Sequence, residues 1–334
     1  MKKLSIALLG CLFTLAVTAQ TQSAQQLHET ARSFMKQGDF PNAILVLNRA
    51  VQQEPKNIPV AKDLAMSYYY NKENAKALET INPVLDREEA DDQSFQIAGL
   101  IYRQAEMTKD CEKMYKKGLK KFPESGPLYN ELGELQWQQQ NFEAIKQWEK
   151  GIETDPSYSR NYYNAAKYYY LTTDKVWSLL YGEIFINMEP LSSSAPEIKN
   201  LLLDGYKKLF SEANLEINNK DKSPFVKAFL KYMNAQSGIA AAGINTETLT
   251  MIRTRFILNW FGEAAPAFKY RLFAHHQQLL REGLFDAYNQ WLFGSAQNLS
   301  GFQNWVNNNS SAYNEFLNFQ KGRIFKIPAG EYYK

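Results

Sequence analysis

Four prolines constrain this chain more than any other feature. Pro55, Pro123, Pro156 and Pro190 stand 68, 33 and 34 residues apart, and 68 is twice 34. Each closes a stretch in which small and aromatic residues recur in the same order. A period of 34 indicates one helix–turn–helix unit used repeatedly, each unit burying its apolar face on the next. Such stacks are all-α, and they offer long surfaces to partners rather than catalytic clefts.

The units read residue by residue as five repeats, at about 24–57, 58–91, 92–125, 126–157 and 158–191. Repeat one has Leu27, Ala31 and Phe34 before a Gly38-Asp39-Phe40 turn, then Ala43, Leu47, Ala50 and Pro55. Repeat three has Ala98-Gly99, Tyr102, Cys111, Tyr115, Gly118 and Pro123. Repeat four has Leu132-Gly133, Phe142, Ala144, Trp148, Gly151 and Pro156, with one residue fewer around the turn. Repeat five has Tyr162, Ala165-Ala166, Tyr169, Ser178, Gly182, Phe185 and Pro190. The small residues belong where the two helices of a unit cross, and the large ones fill the grooves between units. Repeat two departs: Glu89 replaces the closing proline and Pro83 falls inside the second helix. An interior proline costs roughly 3 kcal/mol, so that helix is expected to kink or end early near Asn82.

These positions resemble the tetratricopeptide repeat pattern. The resemblance implies a right-handed α-solenoid of helical hairpins whose inner face binds protein or peptide. With the N-terminal residues described below, the chain is similar to secreted tetratricopeptide proteins of Bacteroidota-type bacteria, which implies a periplasmic scaffold and brings no catalytic residues.

After Pro190 the phase fades, and 191–334 reads as a helical, aromatic-rich region. Ser194-Ala195-Pro196-Glu197 has the form of a capping box, Ser223-Pro224 opens a further helix, 237–244 reads as a loop, and Thr246 caps the next helix. Phe285, Ala287, Gln290, Trp291 and Gly294 repeat Phe142, Ala144, Gln147, Trp148 and Gly151 at the same spacing. A degenerate hairpin is therefore expected near 267–294, followed by a capping helix near 299–321 and a tail from Ile324.

Lys2 and Lys3, the apolar run Leu4 to Val17 and the small residues before Gln20 form a secretory signal pattern, cut after Ala19. The reading is a periplasmic or secreted protein. Leu8-Leu9-Gly10-Cys11 offers an alternative, a lipid anchor at Cys11 and a membrane-tethered protein. No later window is apolar enough to span a membrane. Loss of Lys2 and Lys3 lowers the net charge from +3 to +1, which gives no footprint for nucleic acid.

The inner face should be lined by first-helix positions that point away from the second helix. Of these, Arg32, Tyr69, Tyr70, Arg103, Trp137, Tyr163, Lys167 and Tyr170 are the candidate partner-binding residues. Flat rings give contact area at low entropy cost, and cations pair carboxylates. The expected ligand is a protein or an extended peptide. The two-carboxylate clamp of chaperone-binding relatives has no match at His28/Arg32, Lys62/Met66, Gln96/Leu100, Asn130/Glu134 or Tyr163/Lys167. His275 and His276 are adjacent on a helix and point about 100° apart, which suits burial better than a shared metal. No catalytic residues, metal ligands or cofactor are assigned. The alternative function places a small-molecule or glycan pocket in the aromatic C-terminal region, with the repeats as its support.

Overall fold

The computed structural model describes residues 22–211, 215 and 220–334, all helix, turn or loop. The signal segment 1–19 and Cys11 lie outside the described residues. The chain divides into two units, the first ending at Ala90 and the second running Asp91–Lys334.

In the first unit, α1 (Ala24–Lys36) pairs with α2 (Phe40–Gln53), and α3 (Ile58–Tyr70) pairs with α4 (Asn74–Leu85). Ser23 caps α1 through a reciprocal box with Gln26, and Asp39 and Asn57 cap α2 and α3. Pro41 and Pro59 occupy the first turn, where no backbone donor is needed. α4 does not stop near Asn82: it runs through Pro83 to Leu85. The proline lies two residues from the end, so little helix follows it, and Val84 and Leu85 beyond it are buried.

The second unit opens with α5 (Asp92–Gln104), α6 (Thr108–Lys121), α7 (Gly126–Gln138), α8 (Ala144–Thr154), α9 (Ser159–Tyr170) and α10 (Lys175–Met188). The period is written in the backbone. Gly38, Lys72, Glu106 and Gln140 lie 34 residues apart, and all four have positive φ, between 58° and 76°. Each sits in the turn between the paired helices, where its N–H reaches the carbonyl three residues back. The next N–H reaches five back, as Asp39 to Phe34 and Asn141 to Gln136. This is a Schellman ending, which a left-handed residue makes possible. The missing residue of repeat four falls just after Gln140: Ala43, Ala77 and Cys111 stand five residues beyond the left-handed position, Ala144 four.

Ala43, Ala77, Cys111, Ala144 and Ser178 are all fully buried. The Cys111 thiol approaches the Gly99 carbonyl at 3.8 Å, and the Ser178 hydroxyl donates to the Ala166 carbonyl at 3.0 Å, each 12 residues back on the facing helix. Burial pushes the Cys111 thiol up to about 11, so it stays protonated and inert at neutral pH. The closing prolines act as expected. The residues before them, Glu54, Phe122, Asp155 and Glu189, leave the helix at φ between −127° and −130°.

The close approach at Gly99 is testable. A Cβ there would lie 1.8 Å from the Tyr115 hydroxyl, and Tyr115 is fully buried with that hydroxyl on Glu131. Gly99→Ala should therefore destabilise the second unit by about 3 kcal/mol, read as a lowered urea midpoint.

The register continues past Pro190. α11 (Ala195–Leu209) packs on α9 and α10 as the next first helix, and Tyr163–Glu197 and Tyr170–Asp204 hydrogen bonds join residues 34 apart. Ser194 makes no capping bond, because it is itself αR and Glu197 is turned to α9 instead of back to it. α12 (Pro224–Asn234) follows, then one turn of helix, α13 (Ser237–Ala240), within the stretch expected to be loop. α14 (Thr246–Asn259) is capped by Asn245 rather than Thr246 and ends in a π turn, Trp260–Ala264.

α15 (Arg271–Arg281) and α16 (Phe285–Asn289) form a hairpin closed by Gly283 at φ +71° with the same Schellman bonds as the repeats. A π turn (Gln290–Gly294) leads to α17 (Ser295–Gln297). The expected capping helix is two, α18 (Leu299–Asn308) and α19 (Ser310–Lys321), broken at Asn309. Residues from Ile324 are not a loose tail. Tyr333 stacks on Phe225 at 4.8 Å, Ile327 is buried, and the Lys334 ammonium lies 3.0 Å from Asp221 and 3.6 Å from Asp174.

α10 carries the one feature that periodicity hides. It is buried on every side, and Glu183 lies within it, 2% exposed. Its Oε1 accepts from Tyr288 at 2.6 Å, from His276 Nε2 at 2.8 Å and from the Arg253 guanidinium. Arg253, also 2% exposed, donates further to Asn289, and Asn187 donates to Tyr288 at 2.8 Å. Burial opposes the Glu183 charge, but Arg253 and His276 outweigh it and hold the carboxyl near 2. This cluster joins α10, α14, α15 and α16.

Candidate functional site

Within each unit, repetition places the first helices side by side, so equivalent side chains meet at intervals near 34. In the first unit Asp63 on α3 accepts from Arg32 Nε at 2.8 Å and lies 2.7 Å from His28 Nε2, both on α1. Tyr70 stacks on Phe40 at 4.8 Å, with Tyr69 edge-on at 5.1 Å. Tyr70 is nonetheless 49% exposed.

In the second unit Arg103 on α5 meets Glu131 on α7 at 2.7 Å and Glu134 at 3.7 Å. Burial, then Glu134, pushes the Glu131 carboxyl above its ordinary range against the pull of Arg103. Asn164 on α9 donates to Asn130 at 2.8 Å and to Glu134 at 3.2 Å. Lys167 pairs with Glu197 on α11 at 2.7 Å and donates to the Tyr163 hydroxyl, which itself donates to Glu197. Hydrogen bonds from Lys167 and Tyr163 hold the Glu197 carboxyl below its usual value. Tyr170 donates to Asp204 at 2.5 Å while Lys208 lies 3.9 Å over its ring.

The sequence-derived cations therefore have a different role from the one expected. Arg32, Arg103 and Lys167 each face a carboxylate on the next first helix, so none is an unpaired receptor for a ligand's carboxylate. They tie one repeat to the next. The aromatics are only partly absorbed by packing: Trp137 meets Phe142, Trp148 and Tyr168 at 5.7 to 6.1 Å and still borders open space.

That space is a cleft of about 450 Å³. α7 and α8 supply Trp137 and Trp148; α9 supplies Asn164, Lys167, Tyr168 and Tyr170, with Leu171 just beyond; α11 supplies Glu197, Asn200, Leu201 and Asp204. Its size lies in the range of ligand pockets. Leu171 is 69% exposed at the rim. Sequence reasoning found Trp137, Lys167 and Tyr170; Tyr163, beside them on α9, bonds to Lys167 and Glu197. It missed the α11 wall, because the phase looked lost after Pro190. The signal was present: Glu197 and Asp204 stand 34 residues after Tyr163 and Tyr170. Arg32, Tyr69 and Tyr70 belong to the first unit and do not line this cleft, and neither does Arg103.

The lining contains no Ser, Cys or His. Among the described residues no three His, Cys, Asp or Glu side chains are grouped to hold a metal ion, and no helix is long and apolar enough to cross a membrane. In the C-terminal region, where the alternative pocket was expected, the rings mostly pack on one another. Phe225 alone contacts Trp177, Trp260, Phe268, Tyr270, Phe273 and Tyr333.

Residues 34–98 match the tetratricopeptide repeat family model. The tetratricopeptide-type repeats described above thus have support from sequence as well as from geometry, and the chain is all-α. No curated protein matches this chain. Among solved structures, a thermophilic tetratricopeptide repeat protein from Thermus thermophilus is similar at 13% identity, over 56% of this chain and 99% of that one, with a TM-score of 0.40. A tetratricopeptide repeat protein from Parabacteroides merdae ATCC 43184 shares 18% identity over 70% of this chain and 92% of its own, with a TM-score of 0.44. YrrB, described as a tetratricopeptide repeat protein with an unusual peptide-binding site, shares 15% identity over 55% and 92%, with a TM-score of 0.39.

Proposed function

We propose that this tetratricopeptide-type chain is a non-catalytic scaffold that binds a polypeptide partner in the cleft between α7, α9 and α11. The observation that carries this reading is the lining itself: an aromatic floor of Trp137, Trp148 and Tyr168 beneath a rim of amides and paired charges. An apolar or aromatic side chain of the partner would fill the floor, where rings give large contact area. The Asn200 amide, exposed at the rim, is suited to hydrogen-bond an extended backbone. Lys167–Glu197 and Asp204–Lys208 are already neutralised pairs, so charge would orient the ligand more than hold it.

We further propose that the protein works after export, in the periplasm. The support is the basic, apolar and small-residue succession of Met1 to Ala19; the Cys11 lipid anchor is its alternative. A mature N-terminus at Gln20, read by sequencing of the soluble exported fraction, tests that location.

The binding reading is tested by a photo-crosslinking side chain at Leu171 on the rim, with Leu258 on α14 as an exposed control. The expected result is a discrete crosslinked polypeptide from position 171 and none from 258. Equal labelling from both, or none from 171, would refute the cleft.

A further inference from the structure

A second, smaller pocket lies elsewhere in the second unit, between α15, the end of α19 and the segment after it. Arg271, His275, Phe319, Arg323 and Phe325 line it, and its volume is about 30 Å³. The Arg323 guanidinium lies 4.1 Å over the Phe319 ring and that of Arg271 lies 5.6 Å over Phe325. The same two rings pack on His275 at 5.9 and 5.3 Å. Two cations therefore converge on one imidazole that is 9% exposed.

Carboxylates stand near this cluster, but among the described residues none hydrogen-bonds its guanidinium groups or His275: Glu183 bears on His275 only through charge. Among the described residues neither His275 nor the Arg271 guanidinium has a hydrogen-bond partner, although both border the pocket. Glu331, which bears electrostatically on Arg271, accepts from its backbone N–H rather than from the guanidinium. Glu282 stands 3.8 Å from Arg323, beyond hydrogen-bonding distance. Burial, with His276 and the two arginines, holds His275 near 3, so at neutral pH it has one N–H to donate.

We propose that this pocket binds a carboxylate head group, with Arg271 and Arg323 donating to its oxygens and His275 donating its ring N–H. The space admits about two water-sized groups, which suits one carboxylate and leaves the rest of the ligand outside. Arginine forks match a planar carboxylate, and the positive edges of aromatic rings favour an anion beside them. The carboxylate could come from a free small acid or from a polypeptide side chain. The inference does not depend on the cleft.

The test follows the His275 ring signals by NMR in the full chain at constant ionic strength. One arm adds sodium acetate, the other N-acetyl-glutamate N-methylamide, which presents the carboxylate as a polypeptide does. A saturable shift is expected with at least one probe, weakened by about tenfold or more in Arg271→Gln and in Arg323→Gln. Lys269→Gln, which removes an exposed cation nearby, should leave it unchanged. A response to acetate alone assigns a free acid, and a response to the capped residue alone assigns a polypeptide. No saturable shift up to about 50 mM of either probe, a shift indifferent to both arginine replacements, or a response to inorganic phosphate only would overturn the proposal.

Discussion

Arg253→Ala should destabilise the second unit by about 3–5 kcal/mol, because it leaves Glu183 buried and ionised without its counter-charge. The carboxylate cannot turn to water: Glu183 is fully enclosed within α10. Glu183→Met with Arg253→Met should recover only part of the loss. The pair itself is replaceable by apolar groups of similar size, but Tyr288, His276 and Asn289 would each lose a partner, at about 1–3 kcal/mol apiece. Urea unfolding followed by tryptophan fluorescence reads all three proteins. A single variant as stable as the wild type would remove the cluster from the account of what holds these helices.

Two buried histidines and Glu183 set an acid limit. His275 is held near 3 and His276 is lowered from its ordinary value, both chiefly by burial. An unfolded chain protonates histidine near pH 6.5. Between that pH and the folded values the unfolded state binds more protons, so stability falls as pH drops below about 6.5. Glu183, held near 2, adds a second loss only once the pH passes below its unfolded value of about 4.3. The urea midpoint should decline between pH 7 and pH 5, above the range in which ordinary carboxylates titrate, and His275→Phe should flatten part of that decline.

Trp137→Ala combined with Tyr170→Ala should weaken capture of the crosslinked partner by about 1,000-fold, since buried aromatic anchors contribute about 2 kcal/mol or more each at such surfaces. Trp137 forms the floor and Tyr170 the wall toward α11. Truncating Trp137 also strips contacts from Phe142 and Tyr168, so circular dichroism must show helicity retained. Tyr70→Ala serves as a comparison, because its ring belongs to the first unit and stacks on Phe40. The expected loss is large for the double variant and absent for Tyr70→Ala. Affinity unchanged in the double variant would eliminate the cleft as the binding surface.

Much of the fold was legible in the primary structure because its causes are local and repeat. A proline after the second helix of every repeat but the second and a small residue at each crossing act within one unit, so each leaves a periodic trace, whereas the left-handed turn positions, Gly38, Lys72, Glu106 and Gln140, share no residue type. Pro83 shows the limit of that reading: one helix-breaking residue was outweighed by burial of Val84 and Leu85 beside it. The lining of the cleft was legible only in part. Trp137, Lys167 and Tyr170 follow from register; Glu197 and Asp204 keep the same 34-residue step from Tyr163 and Tyr170, but the small and proline positions that mark the phase fade after Pro190 and hide it.

The amino-acid order alone determined an all-α chain of paired helices and the positions of its turns, because those depend on neighbours within about one repeat. Tertiary structure decided that α11 completes the cleft, that the last residues pack on Phe225, and that Glu183 meets Arg253, His276 and Tyr288. Those partners lie 70, 93 and 105 residues from Glu183. Contacts over such separations arise once, from how the helices pack, so no period in the chain announces them.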